Sequence, residues 1–179
     1  MDLADRGGIP FQGDIAEIIV YTDDKGSQAV DLQKIHSYLA VKYGMTLASS
    51  LNYLDSTGAV IWNATANSAY HNDVAGIGVD EDSALSQLAS RSVNSDSIVT
   101  ITGTQASIAS GEFLLWGNDN GATSFQGKGS ISGLTTADNR FGRVWKAQET
   151  GDVGSVTVTF DSTAILTGRT YCLLTDDDG

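Results

Sequence analysis

The sequence predicts a mainly β protein, an antiparallel, jelly-roll-like β-sandwich with one α-helix near residues 30–43. Three observations lead there. Short β-branched and apolar runs recur along the chain between turns of Gly, Asn, Asp and Ser, the rhythm of a sandwich and not of βαβ units. In "GSVTVTFD" the alternation is strict, with Val156, Val158 and Phe160 facing inward and Thr157 and Thr159 outward, as in a half-buried antiparallel strand. A single segment has helical periodicity.

That segment is "VDLQKIHSYLAVKYG", residues 30–44. Leu32, Ile35, Leu39 and Tyr43 share one face of a 3.6-residue wheel, with Gln33, Lys34 and Ser37 opposite and Gly44 where a left-handed cap is expected. The run before it, "DIAEIIVY" (residues 14–21), is apolar on nearly every position and reads as a strand covered on both faces. Further strands are expected at "AVIWN", "VAGIGV", "SIVTIT", "EFLLWG", "RVWKAQE" and "TYCLLT". Residues 1–11 read as a lead-in and residues 12–179 as a single module, long enough for one well-buried core.

Composition narrows the partners. Lys and Arg number 10 against 22 Asp and Glu, a formal charge of −12 with no basic cluster, so nucleic acid and anionic membranes are poor partners and divalent cations plausible ones. The single cysteine, Cys172, excludes an intrachain disulfide and reads as an inert buried thiol. "DLADRGG" after Met1 lacks the apolar core of a signal peptide, and no stretch approaches the roughly 18 apolar residues of a membrane span.

Catalytic chemistry finds little support. His36 reads as a helix histidine, and His71, in "SAYHNDVAG" beside Asp73, has no nucleophile motif near it. Glu17, Glu112 and Glu149 fall on predicted strands, where carboxylate pairing could be imagined. Calcium is the stronger option, since oxygen-rich loops suit it. "GIGVDEDSAL" nevertheless fails the EF-hand test, with Leu85 where Gly is needed and Arg91 where Glu is needed when the loop starts at Asp80. A solvated hairpin turn is the leading reading there, with calcium coordination through Asp80 and Asp82 the minor one. Asp176 and Asp178 in "TDDDG" form the better acidic pair, and "WGNDNG" reads as a hairpin turn. Trp62, Trp116 and Trp145 lie in apolar strand patterns that favour core packing over sugar stacking.

From Phe11 onward the chain resembles a module of very large bacterial surface proteins that often follows a laminin-G or concanavalin-like domain. The resemblance rests on "FQGDIAEIIVYTDD", "SYLAVKYGMTL", "YLDSTGAVIWN", "VAGIGVDEDSALSQLASRS", "FLLWGND" and "RVWKAQETGDVG". Relatives tend to carry a basic residue where Val79 stands, which argues against a required charge in that turn. The resemblance implies a non-catalytic extracellular or cell-surface setting near calcium-dependent and sugar-binding modules. It also implies that residues 12–22 are the last strand of, or are shared with, a laminin-G-like neighbour. The expected function is support or positioning of ligand binding in an adhesin. Expected partners are neighbouring domains of the same polypeptide and a cell-surface glycan or protein, without membrane insertion. The alternative is a carbohydrate-binding accessory module of a secreted polysaccharide-degrading enzyme.

Overall fold

In chain order the elements are α1 (Ala29–Tyr43), β1 (Tyr53–Leu54), β2 (Val60–Trp62), β3 (Asn72–Asp80), β4 (Leu85–Gln87), β5 (Ala89–Ser90), β6 (Val99–Thr102), β7 (Glu112–Asn118), β8 (Phe125–Gly127), β9 (Asn139–Phe141), β10 (Trp145–Thr150) and β11 (Thr157–Phe160). They come from a computed structural model that describes residues 12–104, 108–127, 139–161, 171 and 173–176. The fold is mainly β, with antiparallel strand pairing and one helix, compatible with a β-sandwich whose sheets do not close.

The strand β3 explains the layering, because its run is apolar or glycine on both faces. It sits inside the sheet β10-β7-β3-β4 and pairs with β7 from Ala75 opposite Trp116 to Val79 opposite Glu112. On one face Ala75, Ile77, Val79 and Trp116 pack against Val99 and Ile101 of the second sheet, β11-β6-β5. On the other face Val74, Phe113 and Leu115 pack against Ala40 and Val41 of α1 and against Tyr53, Ile61 and Trp62 of the β1-β2 hairpin. Burying both faces of the central sheet removes apolar area from water on each side, the largest favourable contribution available to this chain.

Gly76 and Gly78 make the helix-side face possible. A Cβ on Gly76 would lie 2.8 Å from Leu115 Cγ, and one on Gly78 would lie 2.2 Å from Phe113 Cδ1. The cross-strand side chains occupy the space these glycines leave.

The helix begins within a residue of its expected start and ends at Gly44, which has φ 63° and donates its N–H to Ala40 O. Its buried side differs from the expected one. Ser37, Ala40 and Val41 are buried, whereas Leu32, Ile35, Leu39 and Tyr43 are half-buried. Ser37, expected on the polar side, donates to Gln33 O at 2.8 Å and accepts from Leu54 N at 2.9 Å. Small side chains on this side let β1 come close enough for that bond.

Three other expectations need correction. Residues 14–21 join no sheet, and instead of being covered on both faces they leave Ile18 63% and Val20 85% exposed. The run supplies strand character, but no described strand lies beside it to pair with. Val158, expected inward, is 41% exposed because β11 is an edge strand, and its neighbours Val156 and Phe160 are the ones that reach the core. In "TYCLLT" the described residues Tyr171, Leu173 and Leu174 are exposed and outside any sheet, and Cys172 lies outside the described residues.

Gly78→Ala is expected to cost about 1–3 kcal/mol through overpacking against Phe113. In urea unfolding the exposed β4 control Ser86→Ala should stay within about 0.5 kcal/mol of the parent.

Candidate functional site

The acidic turn between β3 and β4 is a hairpin, as its sequence suggests, with Asp80 paired to Leu85 and Ala84 at φ 55°. It is not uniformly solvated. Asp80 is 5% exposed, and its carboxylate accepts from Ser56 N at 2.8 Å, Ser56 Oγ at 2.7 Å and Ser83 N at 3.4 Å. These bonds fasten the β1-β2 hairpin to the end of β3. Glu81 and Asp82 face water.

Asp80 and Asp82 line one cavity of about 530 Å³ between α1, the 54–56 loop and the 81–84 turn, with Glu17, Ile19 and Tyr21 as a further wall. Behind it lie the core side chains Val41, Leu54, Ile61, Leu85 and Phe113, all buried, with Ile35 half-buried at the side. At its edge Lys25 Nζ donates to Asp31 Oδ2 at 3.1 Å, and Lys34 Nζ stands as a looser ion pair 3.9 Å from Asp31 Oδ1. Asp55 also faces it, with Oδ1 taken by Thr57 Oγ1, Gly58 N and Ala59 N. Asp176 is exposed and does not line this cavity, and Asp178 lies outside the described residues. Among the described residues, no group of three His, Cys, Asp or Glu side chains is arranged to hold a metal ion.

A second polar cluster has no counterpart in the sequence reading. Asp73, at φ 51° where the β3-β7 register shifts, is buried with Arg143. Arg143 Nη1 reaches Asp73 Oδ2 at 3.0 Å, Nη2 reaches Asp96 Oδ2 at 2.7 Å, and Nε donates to Gly121 O at 2.8 Å. Asn118 and Asn94 donate to the two Asp73 oxygens at 2.8 and 2.7 Å. The Arg143 guanidinium also holds the Asp96 carboxyl below the usual carboxylate range. With every partner engaged, the cluster works as a structural clamp.

His71 is structural too. Trp62 Nε1 donates to its Nδ1 at 3.0 Å, so Nε2 carries the proton and donates to Leu47 O at 3.0 Å. Glu112 accepts from Ala109 N at 2.6 Å and Glu149 from Val153 N at 3.0 Å, each closing a local turn. His36 is exposed. Trp62 and Trp116 are buried, as their patterns suggest, and Trp145 is half-buried between Phe141 and Phe160.

Glu17 fixes residues 12–22 against α1. It accepts from Lys42 Nζ at 3.1 Å and from the Tyr38 and Tyr43 hydroxyls, both at 2.9 Å. The Lys42 bond, helped by the two phenols, lowers the Glu17 carboxyl below its ordinary value, and the Tyr38 and Glu17 bonds raise Lys42.

Fold and clamp together define an antiparallel β-sandwich-type module with a helix on one face. The chain belongs to the family described as Domain of unknown function (DUF8202), whose model matches residues 31–179. No curated protein and no solved structure matches the chain.

Arg143→Ala should destabilise by about 3–5 kcal/mol, because it leaves the Asp73 carboxylate buried without its cation. Adding Asp73→Asn should recover part of that loss in denaturant unfolding. For Asp80, whose oxygens are spent on protein donors, calcium should shift the melting temperatures of Asp80→Asn and the parent equally. A calcium shift lost in the variant would make Asp80 a ligand.

The Glu17 anchor has a definite pH sign. A carboxyl lowered on folding stabilises above its unfolded value and loses that contribution as pH falls through the folded value. Acidification through the carboxylate range should therefore release residues 14–21 from α1, read as a fall in their backbone NMR order parameters, and Glu17→Gln should show the released values at every pH.

Proposed function

We propose that this chain is a non-catalytic module of a large bacterial extracellular adhesin, acting at the cell surface, and that it supports or positions ligand binding while docked on a neighbouring domain of its own polypeptide. The observation that carries this reading is the N-terminal run. Ile15, Ile18, Ile19, Val20 and Tyr21 are exposed together in a segment that joins no sheet, and contiguous apolar surface of this kind marks a contact with another protein surface. Residues 12–22 then serve as a strand of, or shared with, a laminin-G-like neighbour, and the family match beginning at residue 31 fits that division. The non-catalytic part is supported by His71, Glu112 and Glu149, each spent on a structural bond. Calcium belongs to the proposal through Asp176 and Asp178, in keeping with the net charge of −12.

A second reading, a carbohydrate-binding accessory module of a secreted polysaccharide-degrading enzyme, is favoured by one observation. Trp145 lies half-buried in an aromatic group with Phe141 and Phe160, whereas the other two tryptophans are in the core. A glycan array with the parent and Trp145→Ala separates the readings, since a glycan signal lost in the variant belongs to the second.

For the first reading, amide exchange is compared between the isolated chain and the full-length native polypeptide. Residues 15 and 18–21 should exchange rapidly in the former and be protected in the latter. Equal exposure in both would end the docking reading.

A further inference from the structure

We propose that Asn120 is a self-modification site: its side-chain amide is lost to attack by the nitrogen of Gly121, and the isoaspartate that results unfastens the Arg143 clamp. Asparagine is a thermolabile side chain, and Asn120 is the one asparagine in the sequence followed by glycine, which carries no side chain to hinder approach of its nitrogen to Cγ. Burial and bonding protect other asparagines. Asn67 and Asn118 are buried, and Asn94 is bound through its amide to Asp73. Asn120 is exposed, at φ 58°, and among the described residues no hydrogen bond holds its side-chain amide.

The attack needs rotation about the Asn120 Cα–C bond. No strand ladder resists it, because β7 ends at Asn118 and β8 begins at Phe125. The turn is held by side-chain acceptors, with Asn120 N donating to Asn118 Oδ1 at 2.8 Å and Gly121 N to Asp119 Oδ1 at 2.9 Å. Hydroxide removes the Gly121 amide proton and the nitrogen bonds to Asn120 Cγ. The Cγ–Nδ2 bond breaks, and Nδ2 takes a proton from water and leaves as ammonia, which regenerates the hydroxide. Water then opens the cyclic imide. One opening gives aspartate on an unchanged backbone, and the other gives isoaspartate, whose main chain is longer by a methylene.

The longer chain has no room at Gly121. Gly121 O accepts from Arg143 Nε at 2.8 Å, and a Cβ on Gly121 would lie 2.4 Å from Gly142 O. Asn118, which receives Asn120 N, also donates to Asp73. Displacing Gly121 therefore draws its carbonyl away from Arg143 Nε and leaves a buried donor without its acceptor.

The intact chain is aged at mildly alkaline pH beside a free peptide spanning residues 117–124. Ammonia release, peptide mapping by mass spectrometry and labelling by an isoaspartyl methyltransferase follow the reaction. Asn120 should convert within roughly tenfold of the peptide's rate, since surface turns open locally at little cost. In the isoaspartate form the Arg143 Nε–H should exchange roughly tenfold faster or more. Asn120→Asp, with its ordinary backbone, should keep that proton protected, which separates the added methylene from the added charge. Asn120→Gly, which tolerates the left-handed φ, should neither release ammonia nor take the label. Conversion slower than this range, ammonia from Asn120→Gly at the parent rate, or an isoaspartate form with Arg143 Nε–H still protected would overturn the proposal.

Discussion

The Asp73–Arg143 ion pair is the constraint on which the arrangement of the sheets depends. It joins the irregular start of β3, the end of β7 at Asn118, the loop carrying Asn94 and Asp96, and the residues just before β10. Such a pair adds little net stability, because removing two charges from water costs about what their attraction returns. Its effect is on register. Asp73 holds a left-handed conformation beside the bulge, and the bulge decides which β3 residues face which sheet. A one-residue slip would turn Ala75, Ile77 and Val79 away from the inter-sheet core and separate Asp73 from its cation at the same time.

The central sheet accepts cover on both faces because large and small side chains alternate across it. Phe113 and Leu115 fill the space over Gly78 and Gly76, and α1 comes down on them with Ala40 and Val41. A helix seated through its small residues keeps its larger ones at the margin. That is why Leu32, Ile35 and Leu39 are half-buried, and why Ile35 ends as a cavity wall instead of core. Cavity and close helix packing are therefore two results of one choice of side chains.

Much of this was legible in local sequence. The helix and its Gly44 cap, the strands β3, β6, β7, β10 and β11 and the hairpin at residues 80–85 follow from patterns a few residues long, whereas the short β4 and β5 carry no such pattern. The misses are non-local. Asp80 looks solvated among acidic neighbours, and its burial depends on Ser56, 24 residues away. Arg143 looks like a surface charge beside Val144, and its role depends on Asp73, 70 residues away. A charge inside an otherwise apolar strand run was the available signal, since a buried charge requires a partner. Ser37 was misplaced for a related reason: the wheel weighs hydrophobicity, whereas the close approach to β1 selects for size.

The N-terminal run is a different case, because its strand pattern is clear while its pairing is missing from the described residues. One side chain, Glu17, holds it through three bonds to α1, and Lys42 sits over the Tyr38 and Tyr43 rings to complete the anchor. A polar anchor of this kind fixes position without covering the isoleucines and valine beside it. Those side chains would lose more apolar exposure against a second surface than Glu17 can provide for them against α1. The helix thus has two roles: its small residues complete the core, and its Tyr38, Lys42 and Tyr43 hold out a segment suited to the surface of another domain.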